Sequence, residues 1–419
     1  MTKSDSSREP DARLSWRESP TFLLFTLTLV STINWADRQV VPILFPGIKA
    51  DLGLSDTELG IIGGLAFSII YAVSAFVFGF LADRGSRRNV ILFGLVSWSL
   101  ATAAGGVATG FWSLFAARFF TGIGEASLYP CAMSLVADAF TPERRGRAIG
   151  ILGASTAIGG GLGIGLGGRL AEAIGWREVF FVYGAAGALV LPLLLLMKEP
   201  ARPPMAEDEE HEPPLRIVKE ALGDVRLLAI WGAGSLMIAA ALGWVSWAPT
   251  YFVREKGFDM GEAGMLFGAA QLIGGVVGSL IGGRLGDAFR ARRFAGQLEV
   301  SALAALISVP LVALALFDIS HALLVLAAVV SPLTIFAYFP NLQTMVAEIV
   351  PARRLGLTFA VHVLFLGGIG AAVGPFLVGW TSDTVGSLRL ALFVPVVGVF
   401  LSAIGAWVAA RVVRARTPL

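Results

Sequence analysis

Four ionisable residues stand inside apolar runs of the chain: Asp37 and Arg38 in one, Arg118 and Glu125 in another. A charge at the centre of a bilayer costs roughly 2.5–3.5 kcal/mol even on lenient insertion scales, so each needs a partner or a water-filled cavity. Arg118 and Glu125 are seven residues apart, which puts them on one helix face about 10 Å apart along the axis. That is too far for a one-turn pair, so their partners are expected on other helices. Asp37 and Arg38 are neighbours and point about 100° apart around a helix, so they cannot serve the same group. One arrangement sends Asp37 to Arg118 and Arg38 to Glu125; the crossed arrangement is equally allowed. Burial favours the neutral carboxyl, and a nearby guanidinium favours the ionised one. A carboxylate whose arginine leaves between two conformations therefore takes up or releases a proton. Asp37 and Glu125 are the candidate proton-coupling acceptors, with Arg38 and Arg118 as counter-charges. The alternative is a static cluster that sets helix packing, but four charges gathered in one half of a chain are a costly way to pack helices.

Other chemistry finds little support. The three histidines, His211, His321 and His362, and the one cysteine, Cys131, form no visible nucleophile–base or metal constellation. No Gly-Lys-Ser/Thr phosphate loop is present, so ATP is not expected to drive the protein. No catalytic residue, metal or cofactor is expected; the energy source would be a proton gradient.

The elements that must hold the four charges follow from composition. Of 419 residues, 56% are hydrophobic and 15% charged, and mean hydropathy is +0.75. A soluble domain carries about 25% charged residues, so a water-soluble globular enzyme is excluded. The net charge of +2 gives no basic field for nucleic acid. A single cysteine forbids an intramolecular disulfide. The 50 glycines are spread along the apolar runs, as suits closely packed membrane helices.

A spanning helix takes about 20 mostly apolar residues. Twelve such stretches are predicted, near 21–45, 57–82, 89–109, 111–138, 146–171, 177–197, 226–252, 262–286, 294–316, 321–347, 355–381 and 389–411. Residues 1–20 are polar, with no signal peptide expected and a short surface helix predicted around Leu14 and Trp16. The predicted organisation is a tail (1–20), a six-helix bundle (21–198), a linker (199–225), a second six-helix bundle (226–412) and a tail (413–419). The linker holds five prolines and the acidic run 207–210, and reads as flexible and solvated. Most Lys and Arg fall on one side of this arrangement, with the tails and the linker. Only Lys49, Arg169, Arg177, Arg254, Lys256 and Arg389 fall on the other, apart from Arg38 and Arg118 within spans. The positive-inside rule then puts both termini in the cytoplasm, in a cell (inner) membrane.

The two bundles repeat each other. Gly79 and Asp83, after the second span, recur as Gly283 and Asp287 after the eighth. Val136-Ala-Asp138 with Pro142, Arg144 and Arg145 is answered by Val346-Ala-Glu348 with Pro351, Arg353 and Arg354. A duplicated six-helix unit marks a transporter with its site between repeats near the bilayer midplane. The residues then carry a resemblance. Gly79-Phe-Leu-Ala-Asp83-Arg84-Gly-Ser-Arg87-Arg88 resembles the signature loop of the major facilitator superfamily. Arg118 with Gly122 and Gly124 is similar to that superfamily's fourth-span motif. Asn34-Trp-Ala-Asp37-Arg38, Glu125-Ala-Ser-Leu-Tyr-Pro130 and Thr141-Pro-Glu-Arg-Arg-Gly-Arg147 resemble the bacterial branch of the spinster lipid transporters. Trp35 stands where that family usually has Tyr, and Ala288 replaces the expected Arg in the second signature loop. The resemblance implies an all-α membrane protein of the major facilitator fold, with proton-coupled transport through the acidic and basic positions of spans one and four.

Asp83, with Arg84 and Arg87, and Asp287 are candidate gating residues. Asp83 would accept hydrogen bonds from a helix N-terminus or an arginine when the cytoplasmic side is shut; the resemblance puts that partner on span eleven. Substrate-binding candidates are Arg38, which would grip a phosphate or carboxylate bidentately, and the second-half residues Trp244, Trp247, Tyr251, Phe336, Tyr338, Asn341 and His362. Gln271 and Gln343 are further polar points. Span five's run Gly159 to Gly168 is no dinucleotide loop, since no strand precedes it; small residues there let helices touch. The expected function is proton-coupled transport of an amphiphilic lipid, of lysophospholipid or sphingoid-phosphate type, by rocking of two bundles in a monomer. Alternatives are a drug or organic-anion transporter with the same proton device, a membrane-embedded enzyme, and a transporter-like sensor.

Overall fold

The computed structural model describes residues 16–202 and 212–417. The acidic run 207–210, His211 and Leu14 lie outside the described residues; next to Leu14, Trp16–Glu18 forms a single 3-10 turn.

The first half is α1 (Pro20–Leu52), α2 (Asp56–Arg84), α3 (Arg87–Gly105), α4 (Phe111–Glu125), α5 (Leu128–Ala139), α6 (Pro142–Ile174) and α7 (Trp176–Leu196). A short α8 (Pro214–Gly223) precedes the second half. That half is α9 (Val225–Glu255), α10 (Met260–Arg290), α11 (Gly296–Leu314), α12 (His321–Ile349), α13 (Arg353–Val385) and α14 (Leu388–Arg416). No strand occurs among the described residues.

Among the described residues nine helices are long and apolar enough to cross a membrane: α2, α6, α7 and α9 to α14. The remaining rods are less apolar or shorter for a chemical reason. α1 carries Asn34, Asp37, Arg38 and Gln39 in its middle, and α3 opens on Arg87-Arg88-Asn89. The fourth rod is broken into 15-residue α4 and 12-residue α5 directly after Glu125. Pro130 lacks the N–H that would bond back to the turn, which favours a break there. Discontinuous helices of this kind line binding sites in transporters. α2, α10 and α13 each contain a π-helical turn, at Ile61–Leu65, Gly274–Gly278 and Leu364–Gly370. Such turns often mark functional positions.

Within the first half α1 packs on α6, and α3 on α4 and α7. Within the second, α9 and α11 pack on α14, and α11 on α12. The halves meet along two seams, α6 with α10 and α2 with α13. Both seams are glycine-lined. A Cβ on Gly268 would meet the Gly161 carbonyl at 2.5 Å, and one on Gly60 would meet the Pro375 carbonyl at 2.5 Å, so the backbones touch and only hydrogen fits.

The seams do not run the full length. At the end away from the arginine-rich loops a single apolar core crosses both halves, from Val40 and Phe45 to Trp247, Phe252 and Val378. At the arginine-rich end each half keeps its own core, around Leu27, Trp98 and Leu135 in one and Trp231, Tyr338 and Met345 in the other. Side chains placed at Gly79 of α2, Gly150 of α6, Gly283 of α10 or Gly356 of α13 would meet nothing within 4 Å. The molecule is closed at one end and splayed at the arginine-rich end.

Candidate functional site

The broken fourth rod and the polar middle of α1 bring the four charges together. The Arg38 Nε donates to Glu125 Oε2 at 2.5 Å. The Glu125 side chain is fully buried while Arg38 keeps 15% of its surface. Asp37 is bonded differently from the pairing in which it reaches Arg118: the Thr102 hydroxyl of α3 donates to its Oδ2 at 2.6 Å. Arg118 lies buried with its guanidinium carbon 4.9 Å from the centre of the Phe67 ring. Nε and Nη1 of Arg118, Oδ1 of Asp37 and Oε1 of Glu125 have no protein hydrogen-bond partner. The sequence left the pairing open between two patterns; the fold makes the Arg38–Glu125 pair of one of them, while Thr102 takes one oxygen of Asp37 and the Phe67 ring lies beside Arg118. The same Phe67 ring lies 5.0 Å from Arg38, so one ring is within cation–π reach of both guanidinium groups.

Arg38 also lies 4.1 Å from the Tyr71 ring centre and 4.9 Å from that of Trp35. This aromatic box opens on a cavity of about 110 Å³. Asn34, Trp35, Arg38, Tyr71, Tyr129 and Thr156 are among its walls. Tyr71, Phe67 and Thr102 carry no sequence motif, and Tyr129 is noted only within the Glu125–Pro130 motif. The available signal was rarity: the chain has only 5 tyrosines, and Tyr71 and Tyr129 sit in apolar stretches of the first half.

The candidates of the second half occupy packing positions. Trp244, Trp247, Tyr251, Tyr338 and Asn341 are buried. Trp247 Nε1 donates to the Pro375 carbonyl at 2.9 Å and the Tyr251 hydroxyl to Leu316 at 3.3 Å. The Tyr338 hydroxyl accepts from Ser402 at 2.9 Å, and Asn341 Nδ2 donates to the carbonyls of Gly282 and Ala337. Phe336 is half-buried near Gly275. His362 is buried against Phe359, with Nδ1 unpartnered. Of the substrate-binding candidates, Arg38 alone lines the cavity. The aromatic wall comes from the first half instead, because Trp244, Trp247 and Tyr251 pack into the core shared by both halves and Tyr338 into that of the second.

The gating candidates separate into two kinds. Asp83 and Asp287 are exposed at the splayed end, and Arg84 stacks on Phe80 at 3.8 Å. Arg87 is buried and acts inside the first half. It bonds Asp138 of α5, Ser134 at 2.9 Å, Glu199 at 2.7 Å and the Pro200 carbonyl at 3.1 Å. Burial pushes the Glu199 carboxyl up, but Arg87, Ser86 and two backbone N–H groups outweigh it and hold it below the usual carboxylate range. In the second half Glu348, the echo of Asp138, takes the buried Gln297 Nε2 of α11 at 2.9 Å and the exposed Arg290 at 2.7 Å. Arg202 caps the end of α2 by donating to the carbonyls of Ala82, Asp83 and Gly85.

Residues 27–365 match the Major Facilitator Superfamily, and the chain belongs to that superfamily. It is 32% identical over 371 residues to an "MFS-type efflux pump" of Mycolicibacterium smegmatis, covering 86% of this chain and 83% of that one. It is 26% identical over 397 residues to "Protein spinster homolog 1" of Xenopus tropicalis, covering 89% and 74%. Its fold matches the solved inward-facing, unoccupied structure of a bacterial homologue of the human lysosomal transporter Spinster. That match has TM-score 0.85 and 24% identity, over 95% of this chain and 98% of that one. The chain is therefore a multi-pass membrane transporter of the superfamily that resembles the spinster proteins.

Proposed function

We propose that the protein is a proton-coupled secondary transporter of amphiphilic lipid anions, of lysophospholipid or sphingoid-phosphate type. The observation that carries this is Arg38. Glu125 holds its Nε from behind, three aromatic rings surround it, and the residue lines a cavity with apolar walls. A guanidinium so placed suits a phosphate or carboxylate headgroup, and the flanking Leu128, Met133 and Leu152 suit the chain that follows it.

Twelve spans cross the inner membrane with both termini cytoplasmic, and the arginine-rich end faces the cytoplasm. The splayed end is then the cytoplasmic one, and the two bundles rock around the cavity within a monomer. Asp37 and Glu125 take up the proton. When substrate competes for Arg38, Glu125 loses its partner and protonation becomes favourable; that linkage ties the two flows. A second reading, a drug or organic-anion transporter with the same proton device, is favoured by the name of the mycobacterial relative.

Flux of a labelled lysophospholipid in proteoliposomes, with and without an imposed pH gradient, tests the reading. Gradient-dependent flux that disappears in Arg38→Ala supports it. No lysolipid flux at all, alongside gradient-dependent flux of an aromatic organic anion, would replace it with the second reading.

A further inference from the structure

At the closed end the halves exchange carboxylates. Asp56 opens α2 in the first half and is buried. It receives Arg254 Nη1 of α9 at 3.0 Å and the Ser382 hydroxyl of α13 at 2.7 Å, both from the second half. Lys49 of its own half adds a third donor at 2.6 Å. Asp383 of α13 returns the contact. Its Oδ1 accepts the Asp56 N–H at 3.1 Å, and its Oδ2 accepts the Thr57 N–H at 2.7 Å and the Thr57 hydroxyl at 2.5 Å.

The backbone accounting explains the second exchange. The first N–H groups of a helix have no partner within it. In α2 the Ser55–Glu58 capping box meets the third of them, since the Glu58 N–H donates to Ser55 Oγ at 3.1 Å. The first two, on Asp56 and Thr57, are met by Asp383 from the other half. A carboxylate there also faces the positive end of the helix dipole. The other seam shows the difference. α10 closes its own capping box with Asp259 and Glu262, and Glu172 with Arg169 of α6 packs beside its first turn at Gly261. Among the described residues no hydrogen bond from the other half caps the start of α10.

We propose that Asp383 is the latch of this end: it caps α2 in trans, and with the Asp56–Arg254–Ser382 exchange it holds the two halves shut on the side away from the arginine-rich loops. The latch rests on the alternating-access part of the proposed function, and is independent of cargo and of protons. It sits directly above the tight α2–α13 seam, where a Cβ on Gly60 or Gly64 would come within 2.5 or 2.7 Å of the carbonyls of Pro375 and Ala372. Opening this end breaks the trans cap, frees two helix N–H groups, takes from Asp383 its partners on α2 and leaves Asp56 with Lys49 alone, so the latch releases as a unit.

The test measures the opening directly. Cys131, the one cysteine, is replaced by Ala, and spin labels are attached at Thr109 in the first half and Val385 in the second, both exposed. Pulsed electron–electron double resonance in nanodiscs then reads the distance across this end. The parent should give one dominant short distance. Asp383→Ala should raise the long-distance fraction at least threefold, Asp383→Glu should restore part of the short one, and Gly60→Val should open the same end as a wedge. An Asp383→Ala distribution identical to the parent, while Gly60→Val opens, overturns the latch. If Asp383→Ala does not fold, Thr57→Val with Ser382→Ala, which removes two hydroxyls and no charge, should give the same direction of shift; an unchanged distance there overturns the latch equally. The readout contains no flux, so failure of the lysolipid assay would leave this result standing, and the reverse.

Discussion

The two halves share a helix plan and differ in what they bury. The first half buries Asp37, Arg118 and Glu125, with Arg38 at the rim of a cavity. At its centre the second half buries neutral groups: Tyr338 with Ser402 and Ser301, Asn341 on the Gly282 carbonyl, and Ser308 with Thr334. Buried charge is retained where it is used, because the desolvation cost exceeds what packing returns. One half thus holds its buried charges together, and the other has a neutral buried centre.

The sharpest way to break that contrast is Arg118→Ala. It leaves the buried carboxylates with Arg38 as their one counter-charge, and should cost roughly 3–5 kcal/mol, the usual penalty for removing one member of a buried charged set. Thermal melting in detergent measures it, and a melt equal to the parent's would mean that the charges are not a network. Next comes Glu125→Gln, which keeps the shape and removes the titration. It should fold and lose the gradient dependence of flux by about 5–150-fold, the common range of coupling factors. Gradient-driven flux retained in both Glu125→Gln and Asp37→Asn would make the first half's charges a packing device after all.

The second half should respond only in stability. Asn341→Ala removes the Nδ2 bonds to the Gly282 and Ala337 carbonyls, each worth about 0.5–1.5 kcal/mol, with the pH dependence of flux unchanged. Tyr338→Phe removes one neutral hydrogen bond to Ser402 and should cost about 1 kcal/mol. A change in the pH profile from either would blur the division between halves.

The smallest effect lies at the Arg87 clamp. Glu199 is held below its ordinary value in the folded chain. Its contribution is therefore complete above the unfolded value of about 4.3 and is lost as pH falls through the folded one. The melting temperatures of the parent and Glu199→Gln should differ at pH 7 and converge on acidification below about pH 4. A gap that persists in acid would show that the clamp works by shape and not by charge.

Much of this was legible in the sequence because it is local. Apolar runs of spanning length, the paired Gly79–Asp83 and Gly283–Asp287, and charges that no apolar run tolerates without cause each speak for themselves. The break after Glu125 was foreshadowed by Pro130, yet its place was not readable, since proline within an apolar run is also compatible with a kinked but continuous helix. The buried positions of the second-half aromatics were not readable for the converse reason. Trp244, Trp247 and Tyr251 have the composition of a pocket wall, and composition does not say which side of a helix meets a cavity.

By itself the sequence determined that the chain is helical, membrane-embedded, duplicated and charged in one half, because hydropathy, repetition and the cost of buried charge act along the chain. Only the tertiary structure decided that Glu125 takes Arg38, that Thr102 takes Asp37, that Tyr71 and Trp35 box the guanidinium, and that Asp383 caps α2 from the other half. Those partners lie from tens to hundreds of residues apart, or on the same helix facing a cavity that other helices complete. Which of several equal charges and donors meet is set by the crossing of whole helices, a property that no single segment carries.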